Sequence, residues 1–164
     1  MRKLVLVRHA KSDWGYEGLS DIDRPLNERG YTDAYSMSAL FHASFPAPDA
    51  IISSPATRAF STAAIFARAF QYPVSSVEIN ANIYEAETEV LLEEISKFSD
   101  NFETIMCFGH NPGFTNLFNS LSDSFLDNLP TCGILLLEFP FNSWKNVSTG
   151  KGKFTYSAFP KEFK

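Results

Sequence analysis

KLVLVRH, residues 3–9, runs four apolar side chains (Leu4 to Val7) into an arginine and a histidine with no spacer. A strand that is apolar at every position, rather than at alternate ones, has both faces covered, as in a parallel sheet sandwiched between helices. Working outward, the same reading fits residues 49–53 and 103–108 (ETIMCF), and a short strand at 77–79. Helical stretches lie between them. Asn27 suits the cap of a helix reaching about residue 44, and Pro55 the first turn of an Ala- and Phe-rich helix over 55–70. Residues 88–98 place Val90, Leu91 and Ile95 at helical spacing, and the turn 109–113 (GHNPG) opens a helix to about Leu121. Residues 13–26 (DWGYEGLSDIDRPL) and 82–87 read as loops. Two last strands, 133–139 and 154–159, have no helix of length between them. The pattern predicts α/β class: a three-layer α/β/α sandwich on a mostly parallel sheet, with room for an antiparallel edge strand.

At 164 residues the chain is long enough to bury its own core, and it is expected to form one domain over 1–164. With 45% hydrophobic and 20% charged residues it is neither disordered nor coiled-coil in composition. The 16 phenylalanines follow no regular spacing and are expected in the core. A net charge of −5 argues against a nucleic-acid partner, because that affinity needs clustered Lys and Arg. Cys107 and Cys132 read as buried, reduced thiols and are too few for a metal cluster, so no metal and no cofactor is expected. The 4–7 run is too short for a signal peptide, and no stretch approaches the roughly 20 apolar residues of a membrane span. The expected location is cytoplasmic.

Ligands of open α/β sheets bind beyond the carboxyl ends of the strands. Three such ends supply polar residues here: Arg8 and His9; Ser53 and Ser54, with Arg58 in the following helix; and His110 with Asn111. Any one of them has an ordinary structural explanation, as an ion pair, a helix-covering stem or a satisfied core imidazole. Together, beside helix N-termini that already favour anions, they concentrate positive potential in an acidic chain, which suits a phosphate. His42 lies inside a helix and has no assigned role.

LVLVRHAKSDW at 4–14, SSPATRAFSTA at 53–63 and CFGHNPG at 107–113 resemble, in order and spacing, the three signature segments of the histidine phosphatase superfamily, the phosphoglycerate-mutase-like fold. DRPLNERG at 23–30, IYEA at 83–86 and GHNPG at 109–113 resemble its SixA-type phosphohistidine phosphatase branch. The resemblance covers essentially the whole chain. One departure is Ala10, where many members of the superfamily carry Gly. The resemblance implies that His9 is the nucleophile of a metal-independent phosphohydrolase and forms a transient phosphohistidine. It also implies that Arg8, Arg58 and His110 hold the phosphoryl oxygens, with Asn111 as a further substrate contact.

Neutral imidazole can attack phosphorus near neutral pH, and the forked guanidinium matches phosphoryl geometry. The resemblance also makes Glu85 the candidate general acid, because superfamily members acting on phosphate esters place an acid in a comparable loop, with Asp13 as an alternative; equally, Glu85, Glu87 and Glu89 form a solvated face. The expected substrate is a phosphorylated protein, through phosphohistidine, or a small phosphorylated metabolite as monoester or anhydride. A noncatalytic phosphate-binding module is the reading from another class, and a mutase fits less well because it needs a closed pocket.

Overall fold

The computed structural model describes residues 1–164. In chain order its main elements are β1 (Arg2–Arg8), α1 (Glu28–Ser44), β2 (Ala50–Ser53), α2 (Thr57–Ala69), β3 (Glu78–Ile79), α3 (Thr88–Ser96), β4 (Thr104–Gly109), α4 (Gly113–Leu121), β5 (Ile134–Phe139) and β6 (Lys153–Ala158). The strands form a single sheet in the order β3-β2-β4-β1-β5-β6. β1 to β4 are mutually parallel, β5 is antiparallel to β1, and β6 is antiparallel to β5. The reversed strand is therefore one in from the edge. After α4 the chain returns to the end of β1, where Cys132 N donates to the carbonyls of Arg8 (2.9 Å) and His9 (3.1 Å), so β5 starts at that end and runs back.

β1 sits between β4 and β5, which is why its apolar run is unbroken: Leu4 to Val7 are at most 1% exposed. Successive side chains leave a strand on opposite faces. Val5 and Val7 join Met106, Phe108 and Ile134 under Met37 and Phe41 of α1 and Phe66 of α2. Leu4 and Leu6 join Ile105, Cys107 and Leu135 against Leu91 of α3 and Phe114 and Phe118 of α4. The two clusters are the two interfaces of the sandwich. Phe66, Phe108, Phe114, Phe118 and Phe139 are among the largest fully buried side chains, whereas Phe125 and Phe163 depart from the expectation and are exposed. Both cysteines are buried and unpaired.

Local chemistry sets the element ends. Asn27 caps α1 by accepting from Gly30 N (2.8 Å). α2 starts two residues later than Pro55 suggested: Ala56 is its cap residue, and the Ser54 hydroxyl accepts from Ala56 N (3.2 Å). No helix is long and apolar enough to cross a membrane.

Candidate active site

The ends of the parallel strands are tied level. His9 N donates to Gly109 O and Ser54 N to Phe108 O (both 3.0 Å), so the turns after β1, β2 and β4 emerge side by side. Gly109 is needed there, because a Cβ at this position would run into the Phe114 ring.

His9 is only 6% exposed. Its Nδ1 lies 2.7 Å from the Ala10 carbonyl, which can only accept, so Nδ1 carries the hydrogen and the lone pair is left on Nε2. Ala10 is fixed in turn by Thr62, whose Oγ1 accepts from Ala10 N (3.0 Å). Burial pushes the imidazole from 6.5 down to about 3; the bond to Ala10 opposes this, and repulsion from His110, Arg58 and Arg8 adds to it. His9 is thus a neutral histidine with a free Nε2.

The His110 ring lies 5.2 Å from that of His9, centroid to centroid. Its Nε2 is 2.7 Å from Ser54 Oγ, a hydroxyl that already accepts from Ala56 N. The hydroxyl keeps one hydrogen and one lone pair for Nε2, so this contact suits either tautomer of His110. Burial first, then Arg58, pushes this imidazole down to about 4. Arg8 donates from Nη1 to Leu129 O (2.9 Å), and burial followed by repulsion from Arg58 lowers its pKa.

His110 Nδ1, Arg8 Nε and Arg58 Nε are all buried without a partner. An unsatisfied buried polar atom costs about 1–3 kcal/mol, and two of these three are obligate guanidinium donors, so their place on residues flanking a neutral histidine suits an anion with several acceptor oxygens.

A cleft of about 340 Å³ opens over Arg58 and His110, with Tyr84, Glu85 and Asn111 also in its wall. Glu85 has a φ of 53°, a left-handed conformation that is unusual for this residue type. Asn111 lines the cleft, but its amide is fully engaged by the scaffold. Nδ2 donates to Asn128 Oδ1 (3.0 Å) and Leu129 O (2.8 Å), while Oδ1 accepts from Thr115 N (3.3 Å) and Thr115 Oγ1 (2.9 Å). It thereby holds the same Leu129 carbonyl that orients Arg8.

The acid that the 13–26 loop brings to the site is Asp21, which sequence reasoning did not single out. Asp13 instead accepts from Gly15 N (2.7 Å) and does not line the cleft. Asp21 Oδ1 accepts from Arg24 Nη2 (2.9 Å) and Nε (3.2 Å), and Oδ2 from Arg58 Nη2 (3.0 Å) and the Tyr84 hydroxyl. Its carbonyl accepts from Arg58 Nη1 (2.7 Å). The Tyr84 hydroxyl, then Arg58 and Arg24, hold the carboxyl well below the usual carboxylate range, and Tyr84 is pushed up to about 12. The available signal was Asp21 three residues before Arg24, in a loop facing strand ends that carry unbalanced cations.

The depressed imidazoles make stability depend on pH. Unfolded histidines protonate as pH falls below about 6.5, whereas His9 and His110 stay neutral until about 3 and about 4, so stability is lost as pH falls through that window. Urea unfolding is expected to show a slope of up to about 1.4 kcal/mol per pH unit from each imidazole between pH 4.5 and 6, and His9→Ala should flatten it. An unchanged slope in that variant would contradict the depressed value.

A family model for the histidine phosphatase superfamily (branch 1) matches residues 4–104. An uncharacterized chloroplastic protein of Arabidopsis thaliana is 35% identical over 154 residues, spanning 89% of this chain and 70% of its own. An uncharacterized protein of Mycobacterium tuberculosis is 31% identical over 154 residues, spanning 88% and 93%. Among solved structures, one assigned as phosphohistidine phosphatase SixA in Agrobacterium tumefaciens is similar with a TM-score of 0.78 at 26% identity, over 97% of this chain and 99% of that one. The protein histidine phosphatase SixA complexed with tungstate shares the fold, with a TM-score of 0.84 at 18% identity and 99% of each chain covered. With its sheet, its strand-end histidines and these relatives together, the chain belongs to the histidine phosphatase superfamily and is a phosphatase.

Proposed function

We propose that residues 1–164 act as one metal-independent phosphohydrolase domain whose nucleophile is His9 and whose substrate is a phosphohistidine-bearing protein. The observation that carries this reading is the neutral, buried His9 beside three unpartnered buried nitrogens, on Arg8, Arg58 and His110. In the first step Nε2 bonds to phosphorus as the bond to the leaving group breaks. In the second, water adds to phosphorus and the P–Nε2 bond breaks, releasing inorganic phosphate. Arg8 and Arg58 neutralise the phosphoryl oxygens as forked donors, and His110 donates from Nδ1. A protonated imidazole leaves without help, whereas an alkoxide needs a proton, and we assign that proton to Glu85, which lies in the cleft wall.

The likeness to the Agrobacterium SixA supports phosphohistidine as the substrate, and a small phosphorylated metabolite is the alternative. Two buried free cysteines fit a reducing compartment such as the cytoplasm. The test is a turnover screen that pairs phosphohistidine peptides with sugar phosphates and nucleotides; faster hydrolysis of the metabolites would overturn the protein-substrate reading. No three His, Cys, Asp or Glu side chains come together as a metal-ligand set, so turnover is expected to persist in excess EDTA. Loss restored by a divalent ion would contradict this. Glu85→Gln is expected to slow an alkyl phosphate by on the order of 100-fold while sparing a phosphoimidazole. Equal rates on the two substrates would leave Glu85 a surface residue.

A further inference from the structure

The cleft over Arg58 and His110 does not end at the phosphoryl site. A second cleft, of about 320 Å³, adjoins it at the start of α3 and is lined by Thr88, Glu89 and Asn116. The two share Ala86, Glu87, Pro112 and Gly113, so they adjoin as the two parts of a groove. The one cation in the wall of the first cleft is Arg58, 6% exposed, which is paired with Asp21 and keeps a buried, unpartnered Nε there; Glu85 and Glu87 stand in the same wall. Glu87 and Glu89 line the second cleft, and Glu85, Glu87 and Glu89 are all exposed with none in an ion pair. Apart from Arg58, no Lys or Arg lines either cleft. Asp21 also faces the groove, but Arg24 and Arg58 balance its charge.

Acidic residues at the start of α3 favour the helix dipole, which explains why the helix accepts Glu87 and Glu89. It does not explain Glu85, which lies outside the helix on the wall of the same cleft as Arg58. An anion-binding end continued by an acidic groove has complementary charge to a ligand that is anionic at one point and cationic beyond it.

We propose that the groove from Arg58 to Glu89 selects a phosphoryl group carried on a cationic chain, namely a phosphorylated side chain within a Lys- and Arg-rich protein segment. This rests on the phosphohydrolase reading and adds what surrounds the phosphoryl group. Nucleoside polyphosphates and phosphorylated carboxylic acids place more negative charge along the groove and are selected against.

The experiment uses the full chain and two peptides of equal length, each with one phosphohistidine, flanked by Lys in one and by Glu in the other. Exposed charge pairs are individually weak, and two or three acting together predict a kcat/KM about tenfold higher for the Lys peptide at low salt. The preference should fall below about twofold at roughly 0.5 M salt, where the Debye length is only a few ångströms. In Glu87→Lys/Glu89→Lys it should vanish or invert. Glu87→Gln/Glu89→Gln, in which it should shrink, replaces the reversal if that variant does not fold. Equal rates on the two peptides, a preference for the Glu peptide, a preference indifferent to salt or to the substitutions, or faster turnover of a nucleoside triphosphate would each overturn the proposal. An aryl phosphate assayed alongside separates the two readings: no turnover of any substrate defeats the phosphohydrolase, whereas turnover without charge preference defeats only the groove.

Discussion

Replacing His9 by alanine is expected to lower kcat on an aryl phosphate by at least about 10⁴-fold, the scale on which loss of a covalent nucleophile acts in other enzymes. The scaffold should survive, because the turn is held mainly by backbone bonds: His9 N to Gly109 O, and Cys132 N to the Arg8 and His9 carbonyls. Binding of inorganic phosphate should survive as well, since Arg8, Arg58 and His110 keep their donors. Loss of turnover with retained phosphate binding separates a nucleophile from a structural histidine. Turnover within about tenfold of the native chain would mean that another group attacks phosphorus.

Arg58→Lys should cost on the order of 10² to 10³ in kcat/KM, the usual effect of losing a preorganised oxyanion donor. Charge is preserved in this variant and geometry is not. The guanidinium uses Nη1 on the Asp21 carbonyl and Nη2 on its carboxylate, and still has Nε unpartnered. An ammonium group is a single point that cannot hold Asp21 along one edge and a phosphoryl oxygen along another. The variant should bind the transition-state analogues vanadate and tungstate correspondingly more weakly. A loss below about tenfold would show that Arg58 serves only to anchor the 13–26 loop through Asp21.

The parts of this arrangement that are local in sequence were legible in it. Leu4 to Val7 read as a fully covered strand because each of those side chains meets a helix layer, and the strand-end residues Arg8, His9, Arg58 and His110 followed from the rule that parallel strands open their carboxyl ends to ligands. Asn27 announced the start of α1 through its own side chain. What was not legible depends on long-range contacts. Asp21 reaches Arg58 across 37 residues and Tyr84 across 63, and its one local mark, Arg24 three residues on, does not set it above Asp23 beside the same arginine. The bonds of the Asn111 amide were not legible either, because Asn128 and Leu129 arrive from a separate loop. The place of β5 inside the sheet likewise depends on Cys132 meeting the end of β1.

Rapid acid-free quenching of the native chain during turnover, followed by peptide mass analysis, tests the nucleophile most directly. A single phosphoryl group on the peptide containing His9, absent from the His9→Ala variant and hydrolysed at a rate no slower than kcat, is the predicted result. A phosphoryl group on any other residue under the same conditions would contradict the account.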